Sequence, residues 1–205
     1  ELRKRKGVYN SKNYVIDGHE VRIILLDTRY FRTPLTPDTE TDKRIKPNEY
    51  GVGTILGDTQ WNWLEKELQN STADFNIIVS SIQYLSQEHG FEAWGNFPHE
   101  VDRLAKLIED TKPKSVVVLS GDRHISEFSK IKIEGIDYPL IDFTSSGLTH
   151  AYKEFSGEPN KYRVGEVVYT ESFGILEFDF KAKTVDFKII GDNGNVLGQL
   201  EQVYE

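Results

Sequence analysis

Residues 115–124 read SVVVLSGDRH, and this stretch decides which fold the rest of the chain can adopt. Its first half is a short run of β-branched and aliphatic residues, which is typical of a strand that is buried on both faces of a parallel sheet. Two further runs of the same kind occur at residues 21–27 (VRIILLD) and 76–82 (NIIVSSI). The sequence therefore predicts three buried strands.

Two helical patterns separate these three runs. Residues 59–70 carry apolar side chains at positions i, i+3 and i+7, which form one stripe on a helix. Residues 98–110 show a similar face and begin with Pro98, a residue that the first helical turn tolerates. The order strand–helix–strand–helix–strand predicts a layered α/β fold around a parallel sheet.

The last third of the chain has a different pattern. Apolar residues alternate with polar ones over residues 173–180 and 184–190, which predicts an antiparallel hairpin with one packed face. Residues 32–56 contain several prolines and glycines, and we expect a long irregular loop there. The predicted fold class is α/β, with a mixed sheet and a C-terminal antiparallel hairpin.

Composition excludes several classes of protein. The 205 residues suffice for one domain, and the net charge of −8 argues against a surface built for nucleic acid. No apolar run approaches the ~18–20 residues that span a bilayer. The absence of Cys excludes disulfides, thiolate metal sites and a Cys nucleophile within this chain. The chain also has no Met and no secretory signal, from which we expect that it begins within a longer protein.

The residues after the third strand are the first candidates for chemistry. Ligands bind α/β sheets outside the carboxyl ends of the strands, where Asp122 and His124 are expected. Their oxygen and imidazole donors suit Zn, Fe or Mn and, through oxygen, Ca. The alternative is a surface turn in which the two side chains bond each other. Arg123 could bind a phosphate or pair with a carboxylate.

Polar residues also follow the other two strands. Asp27 is either a metal ligand or a hydrogen-bond partner that orients Arg29. Arg29 either binds a phosphate or forms a structural Asp–Arg pair that stabilises the next loop. Gln83 could present its amide to an oxyanion or cap the backbone. His150 follows a Ser/Thr-rich stretch and could line the same cleft. Because three strands end in such residues, we expect a site at this edge of the sheet.

Five sequence blocks together resemble the C-terminal half of alkaline phosphatase D-like (PhoD-like) metallophosphatases. In chain order they are residues 25–30 (LLDTRY), 55–61 (ILGDTQW), 94–98 (WGNFP), 120–124 (SGDRH) and 144–150 (TSSGLTH). The resemblance covers nearly the whole chain. It implies a calcineurin-like α/β/β/α sandwich and the hydrolysis of phosphate mono- or diesters at a centre of iron and calcium, or of zinc or manganese.

The resemblance also implies roles for individual residues. Asp122 and His124 match late metal ligands of the family and are catalytic candidates together with Arg29. Phosphate-ester substrate is expected to contact Arg29, Arg123, Gln83 and His150, and Asp27 and Trp94 are expected to line the site.

The family's first acidic ligands lie upstream of the part that this chain matches. We therefore expect residues 1–205 to be the C-terminal portion of the domain, with the N-terminal half of the same protein as partner. One Asp and one His leave a metal under-coordinated, so the chain by itself is expected to bind metals poorly and to be inactive.

Other expectations follow from the same resemblance. An incomplete domain should expose apolar surface and could dimerise through it. The family leads us to expect an extracellular or periplasmic protein. The alternative function is a non-catalytic binding module of the same fold.

Overall fold

The computed structural model describes residues 4–204, so residues 1–3 and 205 of the expected domain lie outside the described part. Two α-helices and twelve strands form within it. In chain order they are β1 (Asn10–Ile16), β2 (His19–Leu25), β3 (Thr36–Pro37), β4 (Ile45–Lys46), α1 (Gly57–Gln69), β5 (Phe75–Val79), α2 (Pro98–Thr111), β6 (Val116–Ser120), β7 (Ser126–Lys132), β8 (Pro139–Ser145), β9 (Arg163–Val168), β10 (Ser172–Asp179), β11 (Thr184–Gly191) and β12 (Val196–Val203).

Seven strands form the main sheet, in the order β1-β2-β5-β6-β8-β7-β9. The four strands β2, β5, β6 and β8 are parallel, and β1, β7 and β9 pair antiparallel at its two sides. The three buried runs thus form neighbouring strands, as the sequence predicts. The sheet is mixed and the fold is α/β, which confirms that part of the expected fold class.

The two faces of the main sheet are covered by different layers. One face carries the helices, since Arg22 of β2 forms an ion pair with Glu67 of α1 at 3.2 Å. The other face carries the sheet β10-β11-β12, where Phe187 packs against Phe143 with ring centroids 5.9 Å apart. Because side chains alternate along a strand, a continuous core forms on both faces of the central strands.

The C-terminal hairpin is confirmed, but it belongs to a sheet of three strands. The sequence pattern did not reveal β12 because its inward positions include Gly198 and Gln202 instead of apolar residues. Gln202 is buried and accepts a hydrogen bond from Lys130 Nζ at 2.8 Å. The sequence pattern also did not predict β7, because its buried positions include the polar residues Ser126, Glu127 and Ser129.

The predicted irregular loop over residues 32–56 carries a small hairpin formed by β3 and β4. The backbone N–H of Ile45 donates to the carbonyl of Gly90 at 3.0 Å, which attaches this hairpin to the segment before α2. The loop therefore has a fixed position next to the strand ends.

A buried carboxylate joins α2 to the start of α1. Glu100 is 1% exposed and accepts hydrogen bonds from the indole N–H of Trp61 at 2.9 Å and the backbone N–H of Ile55 at 2.8 Å. Such a charge is tolerated in a core because several donors satisfy it. None of the described helices is both long and apolar enough to cross a membrane.

Candidate active site

Three adjacent parallel strands end at the same edge of the main sheet. The strands β2, β5 and β6 end at Leu25, Val79 and Ser120, so the polar residues that follow them converge. The loops contact one another directly, since Thr28 Oγ1 and Ser81 Oγ lie 2.5 Å apart. This edge is where ligands bind to open α/β sheets.

The turn after β6 holds Asp122 and His124 in an uncommon backbone conformation. Their φ angles are 74° and 54°, in the left-handed region that non-glycine residues rarely adopt. Both side chains are exposed to the cleft, whereas Arg123 between them is buried. Left-handed non-glycine residues each cost about 1–3 kcal/mol and cluster at functional sites, where the strain directs side chains.

Arg29 reaches across the edge to the same turn. Its guanidinium lies 3.4 Å from Asp122 (Nη2 to Oδ1) and 3.2 Å from Glu92 (Nη1 to Oε2). Glu92 also lies 3.0 Å from Arg32 (Oε1 to Nε), so one carboxylate lies between two arginines. The side chain of Arg29 is 54% exposed, which leaves part of its guanidinium open to a ligand.

Asp27 faces the backbone. Its carboxylate accepts hydrogen bonds from the backbone N–H groups of Val8 at 2.8 Å, Arg29 at 3.0 Å and Tyr30 at 2.8 Å. Burial acts to raise the pKa of Asp27, but these three hydrogen bonds outweigh it and hold the pKa below its usual value. Asp27 thereby fixes the loop that carries Arg29, while its own backbone is bound by Gln60 of α1.

Gln83 lies below the cleft, inside a buried polar network. It is 1% exposed and donates to Glu127 at 2.7 Å and to Thr144 at 2.8 Å. Within this network Asp142 accepts hydrogen bonds from the backbone N–H groups of Tyr84 and Leu85. Burial raises the pKa of Asp142 to about 6. The network supports the loops of the site from beneath.

Arg123 forms a second wall of the site. It is 8% exposed and forms an ion pair with Glu158, and its guanidinium lies 3.9 Å from the ring centroid of Phe91. Its charge is therefore already compensated by a carboxylate. Burial, followed by the nearby charge of Arg123, lowers the pKa of His89 to about 4.

The two remaining candidates lie in different environments. His150 is exposed, and its ring lies edge-on to that of His124 with centroids 5.0 Å apart. Trp94 is 0% exposed in the hydrophobic core, where its indole N–H donates to Ser80 Oγ at 3.0 Å.

The structure thus brings Arg29, Asp122, His124 and His150 to the exposed edge and places Trp94 and Gln83 in the interior.

An open cleft of about 440 Å³ lies over this edge. Its walls combine two carboxylates, an imidazole, two arginines and two aromatic rings. They are formed by Arg44, Ile45, Phe91, Glu92, Asp122, Arg123, His124 and Tyr152. Cations beside aromatic rings and one imidazole suit a substrate with an anionic group and an apolar part.

The donors present suit a metal in kind but are too few. Asp122 and His124 offer an oxygen and a nitrogen, the ligand types of hard and borderline metals. Within residues 4–204, however, no group of three or more His, Asp or Glu side chains is arranged to hold an ion. The described residues could supply part of a coordination sphere, which needs at least four ligands.

Sequence reasoning missed Glu92, Arg32 and Arg44. These residues lie in irregular segments, and nothing in their local sequence marks them as neighbours of the strand ends. For Arg32 and Arg44 a signal was available in the long loop over residues 32–56, since loops of that length in compact domains are usually functional or disordered. Glu92 lies outside that loop.

Three comparisons relate this chain to known proteins. The family model described as PhoD-like phosphatase matches residues 3–186. Alkaline phosphatase D of Bacillus subtilis (strain 168) is 28% identical over an alignment of 151 residues, and the match covers 63% of this chain and 25% of that protein. A solved structure described as "Structure of PhoD" superposes with a TM-score of 0.67 at 19% identity, covering 96% of this chain and 40% of the other. The chain thus spans about a quarter of the length of the curated relative.

Proposed function

Because this chain belongs to the PhoD-like phosphatase family, we propose that it forms one wall of the active site of a metal-dependent phosphoester hydrolase. The observation that supports this most strongly is the meeting of Arg29, Asp122 and His124 at one edge of the sheet. A phosphate ester is the substrate class that such a cationic, partly metal-ligating edge would bind.

In this proposal Arg29 binds the phosphoryl group. Its planar guanidinium can donate two parallel hydrogen bonds to phosphate oxygens, a geometry that a lysine cannot reproduce. Glu92 and Asp122 hold the guanidinium in place from two sides. Because the guanidinium of Arg29 is already held in place, little binding energy is needed to order this side chain, and more is available to orient the substrate.

Asp122 and His124 are proposed as partial metal ligands. Cations held by these two residues would neutralise phosphate charge and lower the pKa of a bound water. The left-handed turn keeps the carboxylate and the imidazole at the cleft, and the calcium and iron expected from the family are compatible with these donors. We propose that the remaining ligands come from outside residues 1–205, in a complete calcineurin-like α/β/β/α sandwich.

Two properties of the whole protein belong to the same proposal. The relation to alkaline phosphatase D leads us to expect an exported enzyme. Apolar side chains of β1 remain exposed, notably Val15 at 70% and Ile16 at 56%, so dimerisation through such surface stays a prediction.

The direct test is phosphoester hydrolysis by the whole protein. p-Nitrophenyl phosphate and bis(p-nitrophenyl) phosphate would be assayed with iron, calcium, zinc or manganese supplied, together with metal analysis. We expect turnover of at least one ester, loss of turnover with a chelator and recovery on adding metal back. No turnover of either ester under any metal condition would contradict the proposal.

The incomplete donor set of residues 4–204 is also compatible with a second candidate, a non-catalytic binding module of the same fold. The two candidates differ in one observation. A module would bind inorganic phosphate or nothing at the cleft and would hydrolyse neither ester, even in the whole protein and with metals supplied.

A further inference from the structure

We propose that Arg44 forms a subsite for a second anionic group on the substrate, carried by the leaving group of the phosphoester. This inference rests on the proposed function, because it defines the substrate class of the same cleft. The preferred substrates would be phosphate esters whose leaving group bears a carboxylate or a further phosphate.

The position of Arg44 is fixed by the backbone around it. Arg44 precedes β4, and its carbonyl accepts a hydrogen bond from the N–H of Asp38 at 3.1 Å. The next residue, Ile45, donates to Gly90 at 3.0 Å. Arg44 is therefore held next to the segment that carries Phe91 and Glu92, so its guanidinium can reach the cleft without a rearrangement of the loop.

Gly90 makes this attachment possible. Its φ is +76°, and a Cβ at this position would lie 2.6 Å from the side chain of Lys43. Only glycine combines that conformation with so close an approach. The close packing against Gly90 shows that the hairpin lies directly on the cleft segment.

Arg44 differs from the other arginines of the site in its charge environment. Arg29 lies near two carboxylates and Arg123 is paired with Glu158. By contrast, no carboxylate of residues 4–204 lies within 4.0 Å of the Arg44 guanidinium. Its neighbour in the cleft is the ring of Phe91, whose centroid is 5.4 Å away. Arg44 thus brings an uncompensated positive charge to the cleft of a chain whose net charge is −8.

Arg44 reaches the cleft from the loop over residues 32–56, whereas the proposed metal ligands Asp122 and His124 reach it from the turn after β6. Phe91 and Tyr152 contribute aromatic surface to the same lining. A leaving group could place its apolar part on these rings and its charge on Arg44, since an arginine fork binds carboxylates and phosphates in two parallel hydrogen bonds.

Two non-hydrolysable probes separate this subsite from phosphoryl binding. Phenylphosphonate carries one anionic group, and 4-phosphonobenzoate carries the same group plus a carboxylate. Calorimetric titration of the metal-loaded whole protein would compare their affinities in wild type, Arg44→Gln, Arg44→Lys and Lys46→Gln. Lys46 is the matched control, because it lies in the same hairpin and pairs with Glu40 at 3.1 Å.

We expect wild type to bind 4-phosphonobenzoate about 10-fold more tightly than phenylphosphonate, as one charge-assisted contact allows. Arg44→Gln should abolish that preference and leave the phenylphosphonate affinity unchanged, which also shows that the variant is folded. Arg44→Lys should keep part of the preference, and Lys46→Gln all of it.

Equal affinities of wild type for the two probes, or an undiminished preference in Arg44→Gln, would overturn the subsite. Because the readout is binding, it is distinct from the test of hydrolysis. A protein that hydrolyses no ester but loses the preference in Arg44→Gln has the subsite and lacks the proposed activity. An active hydrolase with an unchanged preference in Arg44→Gln lacks the subsite.

Discussion

The guanidinium of Arg29 and the carboxylate of Asp122 lie 3.4 Å apart (Nη2 to Oδ1), although 93 positions separate them in the chain. Arg29 follows β2 and Asp122 follows β6, with β5 between those two strands in the sheet. The pair is partly exposed and contributes only about 0–1 kcal/mol to stability, as is typical of surface ion pairs. Its significance is therefore the orientation of Arg29 at the proposed site.

Replacing Arg29 tests its proposed contact with the phosphoryl group. We expect Arg29→Gln to lower kcat/KM for p-nitrophenyl phosphate about 100-fold, because the transition state loses a charged hydrogen-bond donor. Arg29→Lys should recover little of this loss, since an ammonium cannot bind two phosphate oxygens in parallel.

Arg103→Gln is the control for this change. Arg103 lies on α2, with its guanidinium 4.5 Å from the ring of Trp61, and its ion-pair partners are Asp58 and Glu100 instead of the Glu92 and Asp122 that Arg29 contacts. If Arg29→Gln retains wild-type kcat/KM, Arg29 does not contact the reacting phosphate.

Glu92 is expected to act through the arginines it contacts. Removing its charge in Glu92→Gln leaves Arg29 and Arg32 without their shared carboxylate, so substrate binding should cost more side-chain ordering. We expect KM to rise about 3- to 10-fold with kcat changed less, as the loss of one orienting contact of about 1 kcal/mol implies.

Glu88→Gln provides the comparison, because Glu88 precedes the same segment and accepts from the backbone N–H of Lys161 at 3.2 Å. Steady-state kinetics would measure kcat and KM of both variants and of wild type. An unchanged KM in Glu92→Gln, or an equal rise in Glu88→Gln, contradicts the positioning role.

Glu100 should be essential for stability. Glu100→Ala leaves the indole N–H of Trp61 and the backbone N–H of Ile55 unsatisfied in the core, which predicts a loss of about 3–5 kcal/mol. Urea denaturation would measure it. Glu109→Ala on the same helix removes a partly exposed ion pair with Lys106 and should cost under about 1 kcal/mol. Similar losses in both variants would show that the buried hydrogen bonds of Glu100 are not the cause.

Asp142 should make stability depend on pH. Burial raises its pKa from 3.8 to about 6, so between these values the native state binds more protons than the unfolded state. The contribution of Asp142 to the free energy of unfolding is therefore largest below about pH 4. It falls by about 3 kcal/mol as the pH rises through 6.

Asp142→Asn should remove this component of the pH dependence, whereas Asp192→Asn in an exposed turn should retain it. Urea denaturation between pH 4 and 7.5 would compare the slopes of the two variants with wild type. A slope in Asp142→Asn that matches wild type would show that Asp142 does not hold a proton in the native protein.

The centre of the main sheet could be predicted because β5 and β6 are buried on both faces. Continuous aliphatic runs such as residues 116–119 have few alternatives, and the helices between them show clear apolar stripes. The sequence pattern did not predict strands β7 and β12, because their buried positions include Ser, Glu and Gln. Long-range partners such as Lys130 for Gln202 make those residues acceptable in the interior, and such partners are invisible locally.

The candidate site was predictable to a similar extent. Asp122, His124 and Arg29 directly follow buried strands, so the topology of a parallel sheet brings them to one edge. Glu92 and Arg44 lie in irregular segments whose positions depend on contacts such as that between Ile45 and Gly90. Only the folded chain reveals that they share the cleft.

The proposed role of the turn after β6 is tested most directly by the kinetics of Asp122→Asn, His124→Gln and the double variant. Hydrolysis of p-nitrophenyl phosphate by the whole protein would be measured with metals in excess, together with bound metal. We expect the double variant to lose about 1,000-fold or more in kcat/KM and to retain less metal than wild type, because metal-assisted hydrolysis depends on the ligand set. A double variant with wild-type turnover and metal content would contradict that role.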